Sequence, residues 1–131
     1  MSIAPGDTFI LRRATGTTPH LWVVLWGPAG QADAYLIASL TSYRPHSDRT
    51  CRIQAGEHPF VQRETCVMYS DIKRPTRAAL ETALREGDAI PKAPVSNELL
   101  ERIRAGVFTS AYTPHAYVEM AVEVFGIARD P

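Results

Sequence analysis

The feature that most constrains this chain is a pair of apolar runs, His20-Leu-Trp-Val-Val-Leu-Trp26 and Ala34-Tyr-Leu-Ile-Ala-Ser-Leu40, separated by Gly27-Pro28-Ala29-Gly30. Each run is short for a helix and rich in β-forming residues, so each reads as a strand. The turn between them is too short for a crossover, which makes the two strands antiparallel neighbours. Neither run alternates with polar residues, so together they predict the centre of a sheet, the first of them buried on both faces. At 131 residues the chain has the length of one ordinary domain with a single core.

The flanking segments extend this reading. The Pro5-Gly6-Asp7 turn precedes a first strand from Thr8 to Arg12, and Ala14 to Pro19 reads as a loop. Tyr43 to Thr50 is polar and lacks periodicity, so it predicts the most mobile internal loop. Cys51 to Gln54 reads as a short edge strand, and Thr65 to Tyr69 as a fifth strand whose neighbours the pattern does not assign. From Pro75 the period changes. Thr76 caps a helix in which Leu80 and Leu84 share a face, Glu81 precedes Arg85, and Gly87 ends the element. Ala89 to Pro94 holds two prolines and reads as a connector. Ser96 caps a second helix with a Leu99, Leu100, Ile103 and Val107 stripe, stapled by Val95 against Leu100 and ending near Gly106. Tyr117 to Phe125 fits either a helical face or an alternating strand. The expected fold is mainly β with α: a single domain in which a small barrel or curled sheet over residues 1–73 is followed by packed helices over 74–131.

Fourteen basic residues balance fourteen acidic ones, so net charge neither advertises nor excludes a nucleic-acid partner. The basic residues cluster locally, at Arg12-Arg13, from Arg44 to Arg52, and at Lys73-Arg74 with Arg77. Solvated charge on loops and helix faces is the plain explanation of such clusters. Cys51 and Cys66 are the only cysteines, with no CxxC pair, no leader-like start and no apolar run near membrane length, which predicts a cytoplasmic protein with reduced thiols and no membrane partner.

Three segments, Gly6-Asp7-Thr8-Phe9, His20-Leu21-Trp22-Val23-Val24-Leu25 and Ser39-Leu40-Thr41-Ser42, resemble in order and spacing the MazF/PemK/Kid toxins. A weaker match runs from Thr65-Cys66-Val67 to Asp71-Ile72-Lys73, so the resemblance spans about the first half of the chain. It implies an SH3-like barrel, a homodimer, metal-independent cleavage of single-stranded RNA without a cofactor, and a cognate antitoxin protein. The family places an Arg-Pro pair ahead of the second strand, its Arg acting with a Thr or Ser at the end of the third. Here His20 and Leu21 stand at the first position and Thr41-Ser42 at the second. The segment from Ala89 to Pro131 has no counterpart in that resemblance.

RNA cleavage without a metal needs a base for the 2′-hydroxyl, a donor for the phosphorane charge, and an acid for the leaving oxygen. His20, Thr41 and Arg44 sit at neighbouring strand ends, and His58 or His46 would supply the second proton carrier. Ser42 and Arg44 are candidates to bind the substrate, and Tyr35 and Tyr43, flanking the third strand, to stack on its bases. For any single histidine, a surface or hydrogen-bonded structural role is the more frequent outcome. His58-Pro59-Phe60 reads as a tight turn in which Phe60 anchors the loop into the core. The histidines lack metal spacing, and Val67 and Met68 beside Cys66 suggest a buried thiol rather than a nucleophile.

Trp22 and Trp26 fall on one face at strand spacing, where they supply core or homodimer seam. Two functions remain open at this point: a toxin-like endoribonuclease with RNA across the ends of the second and third strands, and a non-catalytic SH3-like module binding protein or nucleic acid.

Overall fold

The computed structural model describes residues 2–12, 19–124 and 126. Its elements are β1 (Thr8–Leu11), β2 (Leu21–Ala29), β3 (Ala34–Ser42), β4 (Arg52–Ile53), β5 (Thr65–Lys73), α1 (Arg77–Arg85), β6 (Ala89–Lys92), α2 (Asn97–Thr109) and α3 (His115–Glu123). The strands form one six-stranded antiparallel sheet in the order β4-β5-β3-β2-β1-β6, with the two apolar runs side by side at its centre. Among the described residues β4 and β6 are its edges, and no pairing closes the sheet into a barrel. The loop expected at Ala14 to Pro19 lies, apart from Pro19, outside the described residues, as does Phe125.

Both central strands alternate between two apolar layers, which is why their sequences read as continuous. Leu21, Val23 and Leu25 of β2, with Leu36, Ala38 and Leu40 of β3, pack on one face against Leu99, Leu100, Ile103 and Val107 of α2 and Ala121 of α3. Trp22, Val24, Tyr35 and Ile37 face the other way, with Phe9 and with Leu80 of α1. At about 25 cal/mol per Å2 of buried apolar surface, each such side chain contributes on the order of 2 kcal/mol, so the two layers dominate the stability.

The tryptophans depart from the expected single face. A register shift between Val24 and Trp26 marks a bulge, after which Trp26 joins the α2 layer while Trp22 stays in the α1 layer. The Leu25 carbonyl at this bulge accepts from Arg104 Nε at 2.8 Å, and the same guanidinium lies 5.5 Å from the Trp26 ring centroid. Both tryptophans are 5 % exposed, so they are not the surplus apolar surface on which a homodimer was expected. A second shift carries β2 on through Pro28 to Ala29, and the turn falls at residues 30–33 instead of at Gly27 to Gly30. Gly27 has φ +118°, and a Cβ there would stand 2.7 Å from the Ala34 carbonyl oxygen. Only glycine fits where β2 and β3 come this close.

Three further expectations change. Ala89 to Lys92, read as a connector, forms the edge strand β6 against β1, where a proline is tolerated because one side of the strand needs no donors. The second helix does not end near Gly106 but runs to Thr109. Gly106 is an interior position whose missing side chain makes room for Tyr69, and the Tyr69 hydroxyl donates to the Ile103 carbonyl at 2.8 Å. The ambiguous last segment is helical. The caps at Thr76 and Ser96 form as expected, accepting from the backbone of Ala79 and Leu99. No helix among the described residues is long and apolar enough to cross a membrane.

Candidate functional site

The register Leu21↔Leu40, Thr41↔Cys66 and Ser42↔Thr65 puts the start of β2, the end of β3 and the start of β5 at one end of the sheet. One residue beyond Leu21, His20 stands level with Thr41. The backbone turns sharply after Ser42: Ser47 N–H donates to the Arg44 carbonyl, and Arg44 N–H donates to Ser47 Oγ, both at 2.9 Å. This turn fixes the base of Arg44 while its side chain remains exposed. The result is a cleft of about 640 Å3 whose lining includes His20, Thr41, Ser42, Arg44, Phe60 and Arg63.

The cleft has one sign of charge. The charged groups that line it are Arg44 and Arg63, with the His20 imidazole beside them, and no carboxylate lines it. Among the described residues neither Arg44 nor Arg63 is in an ion pair, whereas Arg52, Arg77, Arg102 and Arg104 all are. The nearest acid along the chain, Glu64, is engaged by Arg52 and Gln54, whose hydrogen bonds hold its carboxyl below the usual range. The site is therefore a hydroxyl-bearing, cationic pocket suited to an anion such as a phosphodiester.

Four sequence candidates meet here: His20, Thr41, Ser42 and Arg44. The others do not. His58, proposed as a proton carrier, is 2 % exposed and lies outside the cleft. Its Nδ1 accepts from Phe60 N–H at 3.0 Å, which closes the turn, and its Nε2 donates to the Ala93 carbonyl at 2.5 Å, which holds that turn to the segment after β6. The Thr8 hydroxyl donates to the same carbonyl at 2.6 Å. The roles in His58-Pro59-Phe60 are thus exchanged: the histidine anchors the turn, and Phe60, expected in the core, is 42 % exposed in the cleft.

Tyr35, proposed to stack on bases, is 1 % exposed near the start of β3, at the other end of that strand. Its hydroxyl donates to the Ile3 carbonyl at 3.1 Å, and burial raises its pKa against the opposing Arg77 guanidinium. Tyr43 does not line the cleft, and the Arg52 guanidinium covers its ring at 4.1 Å. The polar loop from Tyr43 to Thr50 has anchors that its composition conceals: Tyr43 N–H donates to the Glu64 carbonyl, and Asp48 accepts from Thr50 N–H and from the Ser110 hydroxyl. Cys51 and Cys66 are free and buried, and burial pushes both thiols up, which makes neither a ready nucleophile.

Arg63, Gln62 and Phe60 were not identified from sequence as site residues. The signal for Arg63 was its place just before the fifth strand; pairing that strand with the third would have carried it to Ser42. Among the described residues no group of three or more His, Cys, Asp or Glu side chains is placed to hold a metal ion. In comparisons with known proteins, no family model, no curated protein and no solved structure matches the chain.

Proposed function

We propose that the chain binds single-stranded RNA across the ends of β2 and β3 and cleaves it without a metal. The observation that supports this is the cleft itself, which sets two guanidinium groups outside any ion pair, an imidazole and the hydroxyls of Thr41, Ser42 and Thr65 around one hollow with no carboxylate. In the proposed reaction neutral His20 takes the proton of a 2′-hydroxyl, whose oxygen attacks the adjacent phosphorus. Arg44 and Arg63 offset the charge that builds on the phosphorane oxygens, and the Thr41 and Ser42 hydroxyls orient the phosphate. The 5′-oxygen leaves with a proton from water, because His58 is occupied elsewhere. The products are a cyclic phosphate and a 5′-hydroxyl end. Phe60 offers an exposed ring for a neighbouring base.

On this reading the sheet is an opened form of an SH3-like barrel, curled by the irregularities in β2 and β5. The protein acts in the cytoplasm, and a cognate antitoxin blocks the cleft. A second reading, a non-catalytic module that binds RNA, draws support from the engagement of both His58 nitrogens, which leaves one imidazole in the cleft. Incubating purified protein with a long single-stranded RNA in EDTA separates the two. Cleavage leaving cyclic phosphate ends, lost in His20→Ala, is the expected result. RNA binding without cleavage selects the module, and neither binding nor cleavage overturns both.

A further inference from the structure

We infer that Tyr112 is a stacking platform for a second base of the same strand, an inference that rests on reading the cleft as an RNA site. A second hollow, of about 370 Å3, shares Thr41 and Arg44 with the cleft and continues past Ser47 and Met68 to Tyr112. Arg44 stands at the junction of the two. A phosphate held there places one flanking nucleotide toward Phe60 and the other toward Tyr112.

Tyr112 has the properties such a platform needs. It is 63 % exposed, more than any other large apolar side chain among the described residues. Its backbone is nevertheless fixed, since Tyr112 N–H donates to Ser110 Oγ at 3.1 Å and the Ser110 hydroxyl donates to Asp48 Oδ2 at 2.6 Å. Asp48 Oδ1 accepts from Thr50 N–H at 2.9 Å, so the one carboxylate of this hollow has both oxygens engaged. The same bonds tie the backbone of Tyr112 to the loop that carries Arg44 and His46, so ring and guanidinium project from backbones fixed relative to each other. With its backbone already ordered, only the two side-chain torsions of the ring are left to settle when a base lies on it, and stacking tolerates any base.

The test uses a fluorescein-labelled 2′-O-methyl oligoadenylate, which lacks the attacking hydroxyl and reports binding alone by anisotropy. Tyr112→Ala weakens binding about tenfold, within the usual range for loss of one base–aromatic stack. Tyr112→Phe binds as the wild type does, and all three proteins melt at the same temperature. A 2-aminopurine version of the strand is quenched on binding to wild type and Tyr112→Phe, and less so by Tyr112→Ala. Equal affinity and equal quenching in wild type and Tyr112→Ala overturn the platform while leaving the RNA site standing. Equal weakening in the Ala and Phe variants also overturns it, by assigning the effect to the hydroxyl. No binding by the wild type overturns the platform and the RNA reading together.

Discussion

The phenol of Tyr69 occupies the space where a side chain at residue 106 would stand, and its hydroxyl donates to the Ile103 carbonyl one turn earlier in the same helix. A glycine inside a helix ordinarily costs about 1 kcal/mol relative to alanine. Here the sign reverses, because a methyl group at residue 106 would overlap the ring. Gly106→Ala should lower unfolding stability by about 3 kcal/mol, measured by urea denaturation. Tyr69→Leu should reduce the penalty of Gly106→Ala, so that the double variant loses less than the two single losses together.

His58→Ala should separate stability from chemistry. The substitution removes a buried ring whose Nε2 joins the 54–63 loop to the Ala93 carbonyl and whose Nδ1 accepts from Phe60 N–H, so it should cost about 1–3 kcal/mol. The rate of RNA cleavage per folded molecule should fall far less than in His20→Ala, since His58 only positions the turn that bears Phe60. A large loss of that rate with unchanged stability would return His58 to the reaction.

Arg44→Ala and Arg63→Ala should each weaken RNA binding in a salt-dependent way. For a single strand, each lost phosphate contact should reduce the slope of log affinity against log salt by about 0.7. Arg52→Ala should leave that slope alone, since this guanidinium is already spent on Glu64.

Acid stability should carry the signature of Glu57. Hydrogen bonds from Arg102, and next from Gln54 N–H, hold its carboxyl below the ordinary 4.5. With the folded value below the unfolded one, the contribution is complete above pH 4.5 and disappears as pH falls through the folded value. Because the pair is largely exposed, the contribution is under about 1 kcal/mol. Glu57→Gln should flatten the low-pH limb of stability against pH, and an unchanged limb would show the pair to be inert.

What was legible in the sequence was what local chemistry decides. The apolar content of β2 and β3 identified the sheet's centre, and Thr76 and Ser96 declared the helix starts because a cap is a contact across three residues. What escaped depended on partners distant along the chain. Proline argued against a strand at β6, and only the edge position beside β1 removes that objection. Strand periodicity put Trp22 and Trp26 together, but one bulged residue reverses every face beyond it. The site was half legible for the same reason: His20, Thr41, Ser42 and Arg44 follow from the β2–β3 pair, while Phe60 and Arg63 arrive through the β5 pairing and through a turn anchored on Ala93.

The bulge that parts the tryptophans also gives each apolar layer its own fluorophore. Trp22 reports the side covered by α1, with the Lys73 ammonium 5.8 Å from its ring centroid. Trp26 reports the side covered by α2, beside Phe108 at a centroid distance of 6.1 Å. With either tryptophan replaced by phenylalanine, the remaining emission follows one layer alone. A ligand in the cleft, whose floor is the end of the shared sheet, would then stiffen both layers or one, and the two signals tell these cases apart without any added label.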